Sequence, residues 1–348
     1  MGKYDTCMRE FLQNKERFAD FFNGCCFQGE QVIRAEELQD ASEMYIIENF
    51  PPEKPAAKGA GAQGHNSRQS QRKTQFFRDV KMYLCSGTAL QILAVENQSY
   101  IDYSMPVRCM GYDAAEYRRQ LKERKQERRL LMNSENRPKN PAVSMDETLS
   151  GILSSDRLHP VYTLCLYSGT EPWDGPRKLS DMMAFDPQNK NLQSLFEEYH
   201  LHLFCINEQH VFDAFRSALK PLFQAINCRN NKKKMIELMK DETYSHLNED
   251  TWDAIAVMTD NAAMLQKKDL YKTENQKEEF NMCQALQELM QDERNEGRIE
   301  GRNEGKIEDQ KIVIRNMINR GYKTEDICAI AECSPAFVKE VETELALT

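Results

Sequence analysis

Hydrophobic and polar positions in the N-terminal part of the chain change period several times, which predicts a mixture of helices and strands. Residues 3–23 place Phe11 and Phe18 on one broad apolar face at helical spacing, so they predict an amphipathic helix. Residues 76–103 are largely apolar on both sides of a turn near Gly87, and this pattern predicts a β-hairpin.

The following segments continue this mixture. Residues 105–132 predict a long helix with a basic outer half, and residues 133–156 are polar and typical of a loop. Residues 159–169 and 200–206 are short apolar segments that predict two further strands. The order of these elements favours an α/β fold.

Composition divides the chain into regions. Residues 50–75 hold Pro, Ala, Gly, Ser and Gln with almost no apolar side chains, so they predict a flexible low-complexity insertion. Sheet-like sequence resumes after the insertion, and residues 1–207 are therefore predicted to form one core domain. From there the pattern is helical, which predicts a helical region at 208–292. Residues 293–348 predict a charged helix with glycine at every fourth position, followed by a short helical hairpin.

Charge, apolar runs and cysteine usage limit the partners and the cell compartment that the sequence predicts. The 348 residues include 46 basic and 55 acidic side chains, a formal net charge of −9, so nucleic acid would have to bind through a local basic patch. The sequence has no apolar run long enough to span a bilayer and no apolar N-terminal signal, which predicts a soluble, cytoplasmic protein without a membrane partner. The eleven scattered cysteines, with no CxxC pair, predict free thiols in a reducing compartment.

Polar side chains interrupt the second strand of the predicted hairpin. Residues two apart in a strand face the same side, so Glu96 and Gln98 continue the apolar row of Ile92 and Ala94. A buried carboxylate is costly unless it is paired or bound to a metal. The hairpin turn would bring Asp79 close to Glu96, and two converging carboxylates favour a hard cation such as Mg²⁺ between them. The alternative is that these carboxylates pair with nearby arginine side chains.

The spacing of Asp79, Glu96 and Gln98 resembles the nuclease motif of the PD-(D/E)XK superfamily, with Gln98 where that motif has lysine. More specifically, most of the chain resembles the Rpn family of recombination-promoting nucleases, also described as YhgA-like transposases. The segments that carry this resemblance are Arg78-Asp79-Val80, ILAVENQ at 92–98, MPVRCMGY at 105–112, HPVY at 159–162 with Tyr167, Gly169, Trp173 and Asp174 after it, and GRIEGRNEGKIE at 297–308.

The resemblance implies a restriction-endonuclease-like core, with a central mixed sheet flanked by helices, and a helical C-terminal extension. It also implies that the protein acts as a DNA endonuclease that depends on Mg²⁺ or Mn²⁺. Asp79 and Glu96 would be metal ligands, and Gln98 would orient the attacking water or a phosphate. Glutamine in place of lysine removes a positive charge, so turnover is expected to be slow. Asp5 resembles the additional acid that often precedes this core, with Glu10 as the competing residue. The family name also links the chain to recombination and mobile DNA.

Basic residues after the hairpin are candidate contacts to DNA. Arg108 and Tyr112 lie four apart on the predicted helix, so they share a face and could touch a phosphate. The run at 118–129 has seven basic and two acidic residues, and its candidate contacts to the DNA backbone are Arg118, Arg119 and Lys122. A solvated helix face and a surface Arg–Tyr pair are the alternatives for these positions.

Two further classes of function stay open. One is a catalytically weak or inactive nuclease fold that binds DNA or another partner, which the glutamine at position 98 and the acidic net charge keep possible. The other is an assembly protein, since the helical C-terminal half is suited to forming a homodimer. Metal-dependent nicking of DNA distinguishes the enzyme from both alternatives.

Overall fold

The computed structural model describes residues 2–41, 45–47, 74–76, 79–86, 89–133, 143–273 and 279–346. Within these residues the β-strands are Leu38–Asp40 (β1), Tyr45–Ile47 (β2), Thr74–Phe76 (β3), Val80–Ser86 (β4), Ala89–Gln98 (β5), Val161–Tyr167 (β6), His202–Cys205 (β7), Leu247–Asn248 (β8) and Glu279–Phe280 (β9).

The α-helices of the same described residues alternate with the strands in the first half of the chain and dominate the second half. They are Lys3–Leu12 (α1), Lys15–Phe27 (α2), Met105–Asn133 (α3), Met145–Ser150 (α4), Lys190–Gln193 (α5), Leu219–Cys228 (α6), Lys232–Leu238 (α7), Glu249–Met258 (α8), Ala262–Gln266 (α9), Met282–Asn319 (α10), Thr324–Ile330 (α11) and Pro335–Ala346 (α12).

A five-stranded mixed sheet in the order β1-β4-β5-β6-β7 organises the first part of the chain. β4 and β5 form the predicted antiparallel hairpin, with Val80 opposite Val95 and Ser86 opposite Ala89. β5 pairs with β6 in parallel, and β6 pairs with β7 in parallel. The long helix α3 makes the crossover from β5 to β6, as a parallel connection requires. The α/β class, the mixed sheet and a helical C-terminal region are therefore confirmed.

Helices cover both faces of the sheet. On one face, Met105 and Cys109 of α3 form a buried apolar cluster with Cys165 and Tyr167 of β6. Side chains alternate along a strand, so the intervening residues face the other side. There Phe204 of β7 meets Phe21 of α2 and Phe223 of α6, together with Phe215, in edge-on and tilted ring contacts. The sheet is therefore buried between α3 and the aromatic cluster.

The predicted helix at residues 3–23 is wrong in one respect, because two helices occupy this segment. α1 ends at Leu12, and Asn14 begins a new helix by accepting hydrogen bonds from the backbone N–H groups of Glu16 and Arg17. An asparagine at this position satisfies donors that a first turn leaves without partners. The break lets α1 and α2 take different directions, which one continuous helix would not allow.

The structure corrects two further predictions from the pattern, and a third falls mostly outside the described residues. The polar segment 133–156 contains α4, whose capping box joins Ser144 and Glu147, so describing all of it as a loop is wrong. The helical region also includes the two-residue strands β8 and β9. The predicted insertion at 50–75 lies outside the described residues except for Thr74 and Gln75 of β3, as does Gly87 of the hairpin turn.

The chain forms two compact units, Met1–Phe280 and Asn281–Thr348. In the second unit α10 carries the helical hairpin of α11 and α12, and the shared core includes Ile327, Val338 and Val341. Among the described residues, no helix is both long enough and apolar enough to cross a bilayer. The domain boundaries proposed at 207 and 292 stay predictions.

The aromatic cluster generates a stability prediction. Phe223 is fully buried and contacts four other phenylalanine rings, so Phe223→Ala removes a large apolar group and leaves a cavity. We expect the free energy of unfolding to fall by about 3–5 kcal/mol, measured by urea denaturation. Phe27→Ala is the control, because Phe27 is 37% exposed, and we expect a loss under about 1 kcal/mol. Equal losses in the two variants would contradict this account of the core.

Candidate active site

The polar residues that the sequence analysis identified lie at the carboxyl end of β5. Val80 pairs with Val95 at the open end of the hairpin, and Asp79, just before Val80, accepts a hydrogen bond from the backbone of Asn97. On the other side of β5, Glu96 pairs with Cys165 and Gln98 with Tyr167 of the parallel strand β6. Glu96 is fully buried, and Gln98 and Asp79 are 3% and 9% exposed. The structure therefore brings Asp79, Glu96 and Gln98 to one end of the central hairpin.

Alternation along β5 divides these polar groups between the two faces of the sheet. Glu96 and Gln98 lie on the face that α3 covers, because their partners Cys165 and Tyr167 pack against α3. Asn97 between them points to the opposite face, where α1 lies. The site is therefore built on both faces at the strand end.

The backbone of β5 holds the Asp79 side chain, and the pKa of its carboxyl is raised. Its Oδ2 atom accepts a 2.8 Å hydrogen bond from the backbone N–H of Asn97. Burial raises the pKa of the Asp79 carboxyl from 3.8 to about 6, although that hydrogen bond and the charge of Arg108 act in the opposite direction. Asp79 therefore gains or loses its proton in a range where most aspartates are fully ionised.

Glu96 lies next to Arg108 from the second turn of α3. The Arg108 guanidinium lies 3.6 Å from Glu96 Oε2 and donates a 2.8 Å hydrogen bond to Asp102. Tyr112 lies one turn further along α3, with its hydroxyl 3.4 Å from Arg108 Nε. Burial, and then the Glu96 charge, raise the pKa of the Tyr112 phenol. Glu96 therefore has an arginine partner, which was the alternative to a metal ion that the sequence left open.

Asp5 reaches the site from α1 through a residue that the sequence reasoning missed. Asn97 donates from its side chain to Asp5 Oδ1 at 3.4 Å, while its backbone N–H donates to Asp79. Asp5 is buried, whereas Glu10 is exposed, so Asp5 is the first-helix acid connected to the strand end. The sequence feature that could have identified Asn97 is its position between Glu96 and Gln98 in a strand that is otherwise apolar.

The other candidate contacts on α3 lie further from Glu96. Arg118 is ten residues beyond Arg108, about 15 Å along a helix. Arg118 and Lys122 are exposed. Arg119 instead turns inward, where it bonds to Glu116 at 2.6 Å and to the Tyr83 hydroxyl at 3.2 Å. The structure therefore brings Arg108 and Tyr112 to the strand end, and leaves Arg118, Arg119 and Lys122 outside it.

The oxygen donors at the strand end are suited to a hard cation. Among the described residues, no three His, Cys, Asp or Glu side chains converge into a metal-binding group. Mg²⁺ commonly keeps several waters and binds through only one or two carboxylates plus substrate phosphates. Asp79 and Glu96 supply two such carboxylates, and the Gln98 amide is a further oxygen donor on the same face as Glu96. The donor set therefore fits Mg²⁺ or Mn²⁺, with Arg108 competing for Glu96.

Comparison of the chain with protein-family models, with curated proteins and with solved structures finds no match.

The raised pKa of Asp79 generates a prediction for stability. A pKa of about 6 against 3.8 makes ionised Asp79 unfavourable in the folded protein by roughly 3 kcal/mol. This cost is absent below about pH 3.8, grows as the pH rises and is complete above about pH 6. Asp79→Asn keeps an acceptor for the Asn97 N–H and removes the charge, so we expect it to stabilise the protein at pH 7 and to have little effect at pH 4.

Urea unfolding of both proteins across this range of pH is the measurement. The matched control is Asp213→Asn, which removes an exposed carboxylate and should shift stability by less than about 1 kcal/mol at any pH. A difference between wild type and Asp79→Asn that does not change with pH would contradict the burial of Asp79.

Proposed function

We propose that this protein is a metal-dependent DNA endonuclease that hydrolyses phosphodiester bonds with a PD-(D/E)XK core. The observation that carries the proposal is the position of Asp79 at the open end of the central hairpin, where it accepts a hydrogen bond from the backbone of Asn97, the residue after Glu96. Gln98 lies on the same face of β5 as Glu96. A mixed sheet flanked by helices supports the finer fold assignment. The Rpn family, and its link to recombination and mobile DNA, rest on the sequence resemblance.

Asp79 and Glu96 would hold Mg²⁺ or Mn²⁺ at this site. When bound, such an ion supplies polarisation of a phosphate oxygen and a lowered pKa for an attacking water. Asn97 fixes Oδ2 of Asp79 through its backbone N–H, and the second oxygen, Oδ1, would bind the ion. Gln98 offers a donor and an acceptor, so it can orient water or phosphate without carrying charge.

Arg108 has two roles in this proposal. Its guanidinium offsets the charge of buried Glu96, since an isolated carboxylate in the interior would be costly. It is also 28% exposed, so part of the group faces outward at the strand end, where a phosphate of the substrate could meet it. Tyr112 beside it stays a neutral phenol because its pKa is raised.

A second candidate function is a nuclease fold that binds DNA with weak or no cleavage. The observation that favours it is the ion pair between Glu96 and Arg108, because a carboxylate already balanced by an arginine has less attraction for a cation. Gln98 also lacks the charge of a lysine. The two functions differ in cleavage and agree in binding, so one assay with both readouts separates them.

Nicking of supercoiled plasmid is the main test. We expect wild type to nick DNA with Mg²⁺ or Mn²⁺ and to stop when EDTA is added. Asp79→Asn and Glu96→Gln should each lose roughly a hundredfold or more in rate, since each removes a positioned group. Asp213→Asn is the matched carboxylate control and should nick like wild type. Equal nicking by all variants would mean that another site or a contaminant cleaves, and DNA binding by a wild type that does not nick would favour the second function.

The pH dependence of nicking is a separate prediction. Protonated Asp79 is a poor metal ligand, so with a pKa of about 6 the rate should rise with pH and level off above neutrality. Metal and proton compete for the same carboxylate, so raising the Mg²⁺ concentration should move the midpoint to lower pH. Initial rates from pH 5 to 8 at two Mg²⁺ concentrations measure this. A midpoint that Mg²⁺ does not move would exclude Asp79 as a ligand.

A further inference from the structure

Four basic side chains of α3 lie in line on its exposed side. Arg118, Lys122, Lys125 and Arg129 are all exposed and line one shallow groove together with Leu121 and Gln126. At 100° per residue the four positions fall within an arc of about 60° around the helix axis. We call these four residues the basic face of α3.

Three other basic residues in this part of α3, which lie outside the basic face, pair with carboxylates of the protein. Arg119 bonds to Glu116 at 2.6 Å, Arg124 lies 3.5 Å from Glu127, and Arg128 pairs with Asp156. Glu127 and the remaining acidic residue of this stretch, Glu123, lie at least about 100° around the helix from the basic face. A face that serves only solubility usually mixes both signs, whereas this one has a single sign in a chain of net charge −9.

The shape and chemistry of the basic face fit the backbone of a duplex. Eleven residues separate its ends, which is about 17 Å on a straight helix and matches roughly five base pairs at 3.4 Å each. Proteins that bind unpaired strands stack bases on aromatic rings. The residues that line this groove are Arg, Lys, Leu and Gln, with no ring among them. Phosphates of a double helix are therefore a better fit than unpaired bases.

We propose that the basic face of α3 binds the phosphate backbone of double-stranded DNA. Lys125 and Arg129 are the contacts that extend it beyond the residues expected from the sequence. The distance from Arg108, beside Glu96, to Arg129 is 21 residues, or about 32 Å along the helix. If the strand end is the cleavage site, which rests on the proposed function, the duplex runs along α3 and is held for about nine base pairs to one side of the cut.

Salt-dependent binding to a 30-base-pair duplex tests this proposal. A variant with glutamine at all four positions of the basic face keeps helix propensity while it removes the charges. The matched control carries glutamine at Arg294, Arg298, Arg302 and Lys306, four exposed positions of α10, and so changes the net charge equally. Binding is measured by fluorescence anisotropy in EDTA, so no cleavage is needed, and circular dichroism checks the fold of both variants.

We expect the slope of log K against log salt concentration to become shallower by about 3–4 for the basic-face variant and to stay unchanged for the control. A folded basic-face variant with the slope of wild type would overturn the proposal even if wild type nicks DNA. Equal changes in both variants would overturn it as an effect of net charge alone. Wild type that binds phosphatidylserine vesicles and no duplex would also overturn it. Loss of binding only in the basic-face variant, without nicking by wild type, supports this face and removes the nuclease function.

Discussion

Burial of the Glu96 carboxylate at the end of the central strand constrains the arrangement around it. Glu96 has no exposed surface in a strand with neighbours on both sides and helices on both faces, so its charge needs a cation from the protein or from solution. Arg108 meets this need from α3, and Asp102 accepts from the same guanidinium. The start of α3 therefore has to lie over the end of β5, and that position sets the path of the whole helix across the sheet.

The same principle governs the next turns of α3. Lys81 of β4 is 2% exposed and lies opposite Ala94, two positions back from Glu96 on the same face. Its Nζ atom is 3.5 Å from the buried Glu116, and the half-buried Arg119 pairs with the same carboxylate. Removing one member would leave a buried charge without compensation, which is far more costly than losing a surface ion pair. The inner side of α3 thus uses charges to fix its register on the sheet, while its outer side keeps a separate basic set.

Much of this architecture follows from local patterns, and the rest depends on contacts between distant residues. The hairpin, α3, β6 and β7 could be predicted because their periodicity and turns are local. The break between α1 and α2 depends on one capping residue, Asn14, which an apolar face at helical spacing conceals. The position of Asp79 beside the end of β5 could be predicted from the hairpin turn alone. Asn97 and Lys81 could not be assigned, because their partners Asp5 and Glu116 are 92 and 35 positions away in the chain.

The glutamine at position 98 is easier to understand beside Arg108 than from the motif alone. Gln98 is 3% exposed, so a lysine there would place a third cation on the face that already holds Arg108 and Lys81. Burying an extra charge without a partner costs several kcal/mol, whereas a neutral amide needs only hydrogen bonds. Arg108 approaches the same strand end from α3 and can supply the positive charge there. The proposed site would then combine two carboxylates, one amide and one arginine, with the arginine contributed by the helix instead of the strand.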